Sequence, residues 1–319
     1  MEQKNCEAGE EKKDIRTSLR SHHKSVEVFP ISAKLKRELE PLYIELGDPE
    51  DGLSKVSKAV LLQSEVLDEG PSPIHKMVFR WKSHYAIKVI RDMKDFTEYT
   101  SLLYLDEHMP SVPAPRPHGL VKIGNLFLMF VTYLPSMTLE KVWKSLSQIQ
   151  KISIQEQLDV ILLKLRSIPY PAGMSLGGVG GEGCKDLRRN LRHNADPINS
   201  LDAFEDFRFS NPRFGGSVYI NLLRQLVPTP SQNVVFTHGD LRPDNIVVQL
   251  SEEGHYIVTG LIDWEYSGFY PDYYEATKVT NCMSPNEEND WYLFIPPCIS
   301  PKMFHDKWLV DRLWDRHVE

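Results

Sequence analysis

The chain has 319 residues, of which 41% are hydrophobic and 25% charged, close to the fractions of ordinary globular proteins. This composition excludes a chain that is disordered throughout, because such a chain combines low hydrophobicity with a high net charge. The net charge of −7 argues against a nucleic-acid-binding protein, which normally carries a strongly basic face. With roughly 100–200 residues per domain, the length predicts two domains or one large two-lobed domain.

Cysteine usage and hydropathy indicate a soluble protein of a reducing compartment. The 4 cysteines are far apart in the sequence and form neither a CxxC pair nor a disulfide framework. The first residues are charged, so we expect no cleaved signal peptide. The longest apolar run, LFLMFV at 126–131, is far shorter than the stretch of about 20 residues that spans a membrane. We therefore expect a cytoplasmic protein.

The chain begins with a polar segment, 1–31, which lacks an apolar period and is predicted to be a mobile tail. A helix is predicted over 32–46, because Ser32 can cap it and apolar residues recur behind it at helical spacing. Pro41 falls inside this helix and is expected to kink or split it. We assign 32–57 to an N-terminal helical extension.

A mainly β segment follows over 58–133. Apolar alternation predicts strands in KAVLLQSEVL, HKMVFRW and HYAIKVI. A helix is predicted over 95–108 from its broad apolar face. Four prolines between 110 and 117 then favour an extended link, and GLVKI and NLFLMFVTYL predict two more strands. This segment is expected to form one lobe with a single helix.

The pattern changes after a short hinge near 132–136. Amphipathic helices are predicted over 138–146 and 154–168, followed by a glycine-rich loop and a mostly helical stretch to Leu226. NVVFTHGDL, NIVVQL and HYIVTGLIDW predict short strands, and FHDKWLVDRLW predicts a last helix. The segment 134–319 is expected to form a second, mainly helical lobe. The fold class is therefore α+β, with a small antiparallel β lobe carrying one helix and a larger helical lobe.

The segment FTHGDLRPDNIVV, followed by LIDW, places polar residues where a strand pair begins and ends. Asn245 ends a loop that enters a strand, and Asp263 ends the next strand, which can run antiparallel to the first. Amide and carboxylate oxygens are ligands that suit Mg²⁺. Asp240 lies on the loop, where it can accept a proton from a substrate hydroxyl.

These residues resemble the catalytic core of the aminoglycoside phosphotransferase and choline-kinase-like family, which has the protein-kinase fold. The family pattern is HGD-x-x-x-x-N followed by [IV]-D-[FW], and it parallels the HRD-x-x-x-x-N and DFG motifs of protein kinases. The likeness to the fungal-type branch is greatest, through IDWEYSGFYPDYYE, and it extends over roughly residues 58–315.

The resemblance implies a catalytic mechanism. Asp240 would be the catalytic base, and Asn245 and Asp263 would hold Mg²⁺. His238 would brace the loop, and Arg242 lies where protein kinases often carry a lysine that contacts phosphate. The expected activity is transfer of the γ-phosphoryl group of ATP to a hydroxyl group of a small molecule. The identity of that molecule (a sugar, an amino alcohol or a secondary metabolite) stays open.

The resemblance also implies that the segment 58–133 is the nucleotide-binding lobe. YAIKVI resembles the kinase strand VAIK, which makes Lys88 the lysine that meets the α- and β-phosphates, with Glu98 as its partner. LFLMFVTYLPSMTLEKVW resembles the segment leading into the hinge, where backbone groups of Tyr133 and Leu134 would hold the adenine. Kinases carry a glycine-rich loop where this chain reads VLDEGPSPIHKM, at 66–77, so the choice between ATP and GTP stays open.

Two other functions stay open. The irregular loop at 66–77 leaves room for a catalytically inactive, kinase-like nucleotide-binding or scaffold protein. A protein kinase is disfavoured, because no APE-like anchor follows Asp263. No nucleic acid, membrane or obligate protein partner is expected.

Three further features have competing interpretations. The glycines of GVGGEG match G-x-G-x-x-G at 178–183, but the motif follows a helix instead of a strand, which predicts a mobile loop or a flap over the substrate. KDLRRNLRHN, at 185–194, predicts a solvated helix face, with an anion contact as the alternative. Five acidic residues predict either a polar surface loop or a site for a cationic substrate: Asp272, Glu275, Glu287, Glu288 and Asp290.

Overall fold

The computed structural model describes residues 15–18, 24–47, 52–70, 72–135, 137–187, 191–194, 196–227, 231 and 233–318. The chain divides into two compact units. The first comprises Met1–Lys94 and Pro117–Tyr133, and the second comprises Asp95–Arg116 and Leu134–Glu319. The helix predicted over 95–108 therefore groups with the second unit instead of the first.

The first unit is built on one six-stranded antiparallel sheet with the strand order β1-β5-β6-β4-β3-β2. Its elements are α1 (Ile15–Ser18), β1 (Ser25–Phe29), α2 (Ala33–Glu45), α3 (Gly52–Leu62), β2 (Glu65–Asp68), β3 (Lys76–Trp81), β4 (Tyr85–Arg91), β5 (Pro117–Ile123) and β6 (Leu126–Thr132). In β3 every second residue is buried, as the two-residue period of a strand requires. Apolar residues of α2 and α3 pack with these strand residues in one core.

The structure confirms the helix predicted over 32–46. Ser32 caps α2, since its Oγ accepts a hydrogen bond from the Leu35 N–H at 3.2 Å. Pro41 lies inside α2 without splitting it.

Two predictions for the first unit are wrong. KAVLLQSEVL does not form one strand: α3 runs to Leu62, because Val56 and Val60 are buried at helical spacing, and only Glu65–Asp68 is a strand. Residues 25–29 of the predicted tail form β1, which pairs antiparallel with β5 and so satisfies the backbone groups along that edge. The predicted tail residues 1–14 and 19–23 lie outside the described part of the chain.

In the described residues, the second unit contains most of the helices and three small sheets. Its elements are α4 (Thr97–His108), β7 (Met137–Thr138), α5 (Leu139–Trp143), α6 (Gln148–Arg166), β8 (Lys185–Leu187), β9 (Leu191–His193), α7 (Leu201–Arg208), α8 (Ser217–Leu226), β10 (Val234–Thr237), β11 (Ile246–Leu250), β12 (Tyr256–Leu261), β13 (Gly268–Pro271), α9 (Tyr274–Lys278) and α10 (His305–His317). β11 pairs with β12 and β7, β10 pairs with β13, and β8 pairs with β9. No helix in the described residues is long and apolar enough to cross a lipid bilayer.

Lys185–Leu187 and Leu191–His193 are two strands, so the prediction of 185–194 as a solvated helix face is wrong. Lys185 and Asp186 are buried, and β8 and β9 pair antiparallel. Asp186 accepts from the Lys278 ammonium at 2.7 Å, within a network of buried charges. The network joins β8 to α7, α9 and α10 through Asp186, Glu205, Arg208, Lys278, Lys307 and Asp311. The burial of Lys185 and Asp186, which the sequence pattern did not reveal, explains why the start of this charged stretch does not lie in solvent.

Candidate active site

The polar residues of HGDLRPDN and IDW meet at one end of the β11–β12 pair. β11 begins directly after Asn245, and β12 ends two residues before Asp263. Ile246 pairs with Leu261, and the Ile262 N–H donates to the Asn245 carbonyl at 2.9 Å. The antiparallel arrangement predicted from the sequence is therefore present, and it brings the two metal-ligand candidates to the same end of the strand pair.

His238 connects the loop after β10 to the end of β12. Its buried ring lies at hydrogen-bond distance from the Ile262 carbonyl through Nε2, at 2.9 Å, and its Nδ1 accepts from the Asp240 N–H at 3.3 Å. Burial lowers the pKa of His238 to about 4. The imidazole is therefore neutral, with its proton on Nε2, and holds the backbone of the loop in place.

Glu275, at the start of α9, holds the same loop from the other side. Its buried carboxylate accepts from the His238 N–H at 2.7 Å and from the Gly239 N–H at 3.1 Å. Burial raises the pKa of Glu275, and these two backbone donors oppose that rise. This role was not predicted, since Glu275 was grouped with acidic residues that form either a polar surface loop or a site for a cationic substrate. No local signal marks it, because the contact is tertiary.

Asp240 carries the carboxylate at the centre of the site. Its Oδ2 accepts from Asn245 Nδ2 at 3.0 Å and lies 3.5 Å from Arg242 Nε. The side chain is 17% exposed. Burial raises the pKa of Asp240 to about 6, with a further rise from Asp263 and with Arg242 acting in the opposite sense. At neutral pH the carboxylate is mostly ionised yet more basic than an ordinary aspartate, which suits a proton acceptor.

Asn245 and Asp263 have the donor chemistry of a magnesium site. Asn245 Nδ2 donates to the carbonyl and the carboxylate of Asp240, whereas its Oδ1 accepts no bond from a described residue. An amide oxygen and a carboxylate at one strand end fit a cation that keeps several waters and binds nucleotide phosphates. The described residues contain no cluster of three or more histidine, cysteine or acidic side chains for a metal. A metal would therefore rely on these two ligands together with phosphate and water.

Lys88 and Glu98 are both buried, each within its own unit. Lys88 lies in β4, in register with Val78 of β3 and Met129 of β6. Glu98 lies in the first turn of α4. The pairing of these two side chains stays a prediction.

Tyr133 and Leu134 are the two residues whose backbone groups are expected to hold the adenine. The Tyr133 N–H donates to the His84 carbonyl at 2.7 Å and so belongs to the sheet. Leu134 is half-buried, and its side chain lies against Gly260. The Tyr133 N–H is therefore already bonded, and the role of Tyr133 and Leu134 in holding the adenine stays a prediction.

The loop tolerates only glycine between His238 and Asp240. Gly239 has φ +82°, and a Cβ there would lie 2.2 Å from the Tyr266 carbonyl oxygen. Gly254 has φ +80°, and a Cβ there would have no atom within 4 Å. Gly254→Ala is therefore a matched control, because it introduces only the backbone strain of about 1–2 kcal/mol. We expect Gly239→Ala to cost about 2 kcal/mol more than the control, because the carbonyl must move. Urea unfolding of the two variants measures this difference, and equal losses would contradict the close approach.

Comparison with known proteins gives one family match. The model of the phosphotransferase enzyme family matches residues 83–292. No curated protein matches the chain.

Two solved structures illustrate the similarity of fold. The streptomycin–ATP ternary complex of APH(2″)-IIa is 13% identical, with 90% of this chain and 87% of that chain covered and a TM-score of 0.50. An aminoglycoside-3′-phosphotransferase of type VIII is 17% identical, with 79% and 93% covered and a TM-score of 0.49. The first of these shows the fold, and it confirms the predicted α+β, two-lobed, protein-kinase-like class.

Proposed function

From the premise that this chain belongs to the phosphotransferase enzyme family, we propose that it transfers the γ-phosphoryl group of ATP to a hydroxyl group of a small molecule. The observation that carries the proposal is the Asp240 carboxylate, which Asn245 holds at the end of the β11–β12 pair. A kinase-like phosphotransferase needs a proton acceptor at the position where the attacking hydroxyl arrives.

Each residue of the site has a proposed role. Asp240 orients the hydroxyl and takes its proton as the oxygen attacks the γ-phosphorus. His238 keeps the loop in place through its two ring nitrogens. Arg242, which is half-exposed beside Asp240, can contact the transferred phosphoryl group. Mg²⁺ held by Asn245 and Asp263 would offset the negative charge of the phosphates.

The nucleotide contacts are proposed on the family pattern. Lys88 would bind the α- and β-phosphates of ATP, and Glu98 would hold Lys88 in position. The carbonyl of Tyr133 and the backbone of Leu134 would hold the adenine. A catalytically inactive, nucleotide-binding protein is the alternative that the unusual segment at 66–77 motivates.

The acceptor is proposed only as a small molecule with a hydroxyl group. Two of the five acidic residues that the sequence analysis considered for a cationic substrate are already engaged. Glu275 holds the catalytic loop, and Asp290 pairs with Lys151 at 2.7 Å and accepts from the Trp143 indole at 2.8 Å. The structure thus weakens the reason to expect a cationic acceptor.

The test is transfer of label from γ-³²P-ATP in the presence of Mg²⁺ and a pool of sugars and amino alcohols. We expect label in the small-molecule fraction, dependent on the pool. Label in the protein fraction would favour a protein kinase. ATP binding without transfer to any member of a broad pool would favour the catalytically inactive alternative.

A further inference from the structure

A buried lysine lies outside the catalytic motif and contacts two of its supporting segments. The side chain of Lys185, at the start of β8, is 4% exposed. Its backbone is fixed by two tyrosines, since its N–H donates to the Tyr270 hydroxyl at 3.0 Å and its carbonyl accepts from the Tyr274 hydroxyl. Both tyrosines are buried, so β8 holds Lys185 in a rigid setting.

The ammonium of Lys185 joins the start of α4 to the segment after Asp263. Its Nζ lies 2.6 Å from Asp95 Oδ2 and donates to the Glu265 carbonyl. The other oxygen of Asp95 accepts from the N–H of Thr97, the first residue of α4, at 2.8 Å. Glu265 comes two residues after Asp263. One buried cation thus binds the helix that carries Glu98 and the segment that carries Asp263.

The Lys185 ammonium has two electrostatic partners, Asp95 and Tyr266. Burial alone would raise the pKa of Asp95. The opposite effect of the nearby Lys185 ammonium is greater, so the pKa of Asp95 lies below its usual range. The Lys185 ammonium also lies 5.7 Å from the centre of the Tyr266 ring, a distance at which a cation is attracted to an aromatic face. Asp95 and Tyr266 thus both attract the Lys185 ammonium.

The glycine-rich loop before Lys185 supports the same connection. Gly177 exchanges two backbone hydrogen bonds with Phe269, at 2.8 and 2.9 Å, and the Thr100 hydroxyl of α4 donates to Glu182 at 2.6 Å. A Cβ on Gly177 would lie 2.1 Å from the Gly183 carbonyl oxygen. Gly177 therefore allows close backbone packing against β13, and the mobile loop or substrate flap that the motif predicts stays a prediction.

The segment that carries Asp263 needs such support. Asp263 has φ +63°, a left-handed conformation that costs a non-glycine residue free energy and persists only where its surroundings impose it. Downstream, the Ser267 N–H and hydroxyl both bond to the Trp264 carbonyl, at 3.2 and 2.6 Å. The Glu265 carbonyl lies inside this turn and accepts from Lys185.

We propose that Lys185 is a positioning residue, which holds the Asp263–Ser267 segment against the start of α4 and thereby keeps Asp263 oriented toward a Mg²⁺-bound nucleotide. The inference rests on the proposed function. It adds a contact that couples α4 to the metal-binding segment through one side chain of β8.

Hydrogen exchange of the ligand-free protein tests the coupling directly. We expect Lys185→Met to accelerate amide exchange in peptides covering 95–101 and 262–268. Lys307→Met is the matched control, because Lys307 is also buried and also pairs with one carboxylate, Glu205, at 3.0 Å. The control should leave both peptides unchanged. Unchanged exchange in the Lys185 variant would overturn the proposal.

Titration with Mg²⁺–ADP gives the functional readout. We expect binding about tenfold weaker in Lys185→Met, as for residues that orient a metal ligand from behind, and unchanged in Lys307→Met. Binding of ADP without Mg²⁺ should be equal in all three proteins. If wild-type protein binds no Mg²⁺–ADP, or if Asp263→Ala binds it as wild type does, the proposed function fails. If Asp263→Ala loses binding and Lys185→Met does not, only the positioning role fails.

If Lys185→Met does not fold, a second variant tests the positioning role of Lys185. Asp95→Asn is isosteric, keeps an oxygen for the Thr97 N–H and removes only the charge that faces Lys185. We expect faster exchange in 262–268 and weaker Mg²⁺–ADP binding, in the same direction as for the lysine variant. Wild-type exchange and affinity in Asp95→Asn would overturn the proposal.

Discussion

Asp240→Asn is expected to abolish turnover and, at neutral pH, to make the folded protein more stable than the wild type. The loss of turnover follows from the loss of the proton acceptor, which typically costs about 10²–10⁴-fold in rate. An asparagine oxygen can still accept from Asn245 Nδ2, so the loop and the affinity for Mg²⁺–ATP should be kept.

The gain in stability follows from the raised pKa of Asp240. Burial raises that pKa from 3.8 to about 6, so folding favours the protonated carboxyl. The stability that this group contributes is present at low pH and is lost as the pH rises through about 6. Above that pH the ionised carboxylate destabilises the fold by about 3 kcal/mol, and the neutral asparagine avoids this cost.

Thermal unfolding between pH 4 and pH 8 measures the effect. The difference in melting temperature between Asp240→Asn and wild type should be greatest near pH 7.5 and should narrow below pH 6. Asp244→Asn is the matched control, because Asp244 lies on the same loop but is exposed, and it should change neither turnover nor stability. Wild-type turnover in Asp240→Asn would contradict its role as the base.

Asp263→Ala is expected to remove Mg²⁺-dependent nucleotide binding. The variant deletes one of the two proposed Mg²⁺ ligands and leaves only the Asn245 oxygen, which would not hold Mg²⁺ alone. The expected result is that ATP with Mg²⁺ no longer raises the melting temperature, whereas wild type gains about 2.7 kcal/mol at 100 times the dissociation constant.

Backbone strain needs a separate control in this experiment, because Asp263 has a positive φ and alanine tolerates that conformation poorly. Asp92→Ala provides it, since Asp92 is an exposed aspartate with φ +52° in the turn after β4. Both variants should lose some stability, but only Asp263→Ala should lose the response to Mg²⁺–ATP. An equal response in the two variants would contradict the assignment of Asp263.

The sequence predicted those parts of the site that are local in the chain. Asp240 and Asn245 are five residues apart, and a short turn between two strands is enough to bring their side chains together. The position of Asp263 near Asn245 could also be predicted, because the end of one antiparallel strand lies beside the start of its neighbour. The prediction of the strand that carries Lys88 was also correct, since its alternation of apolar and polar residues and its β-branched residues favour a strand.

The supporting residues could not be predicted, because their contacts are tertiary. Glu275 and Lys185 are distant in sequence from the residues they hold, and a charged residue in a polar stretch normally lies in solvent. The strand predicted where α3 forms was wrong for another reason. A short apolar run such as KAVLL fits a buried helix and a strand equally well. β1 was missed because an edge strand gains its stability from the neighbouring strand instead of from its own apolar pattern.

Calorimetric titration of the wild-type protein with ATP, with and without Mg²⁺, tests the central claim most directly, because a phosphotransferase must first bind its nucleotide through the metal. We predict saturable binding at one site in the presence of Mg²⁺ and much weaker binding in its absence. No binding at millimolar ATP with Mg²⁺, or the same affinity without the metal, would contradict a phosphoryl-transfer site built on Asn245 and Asp263.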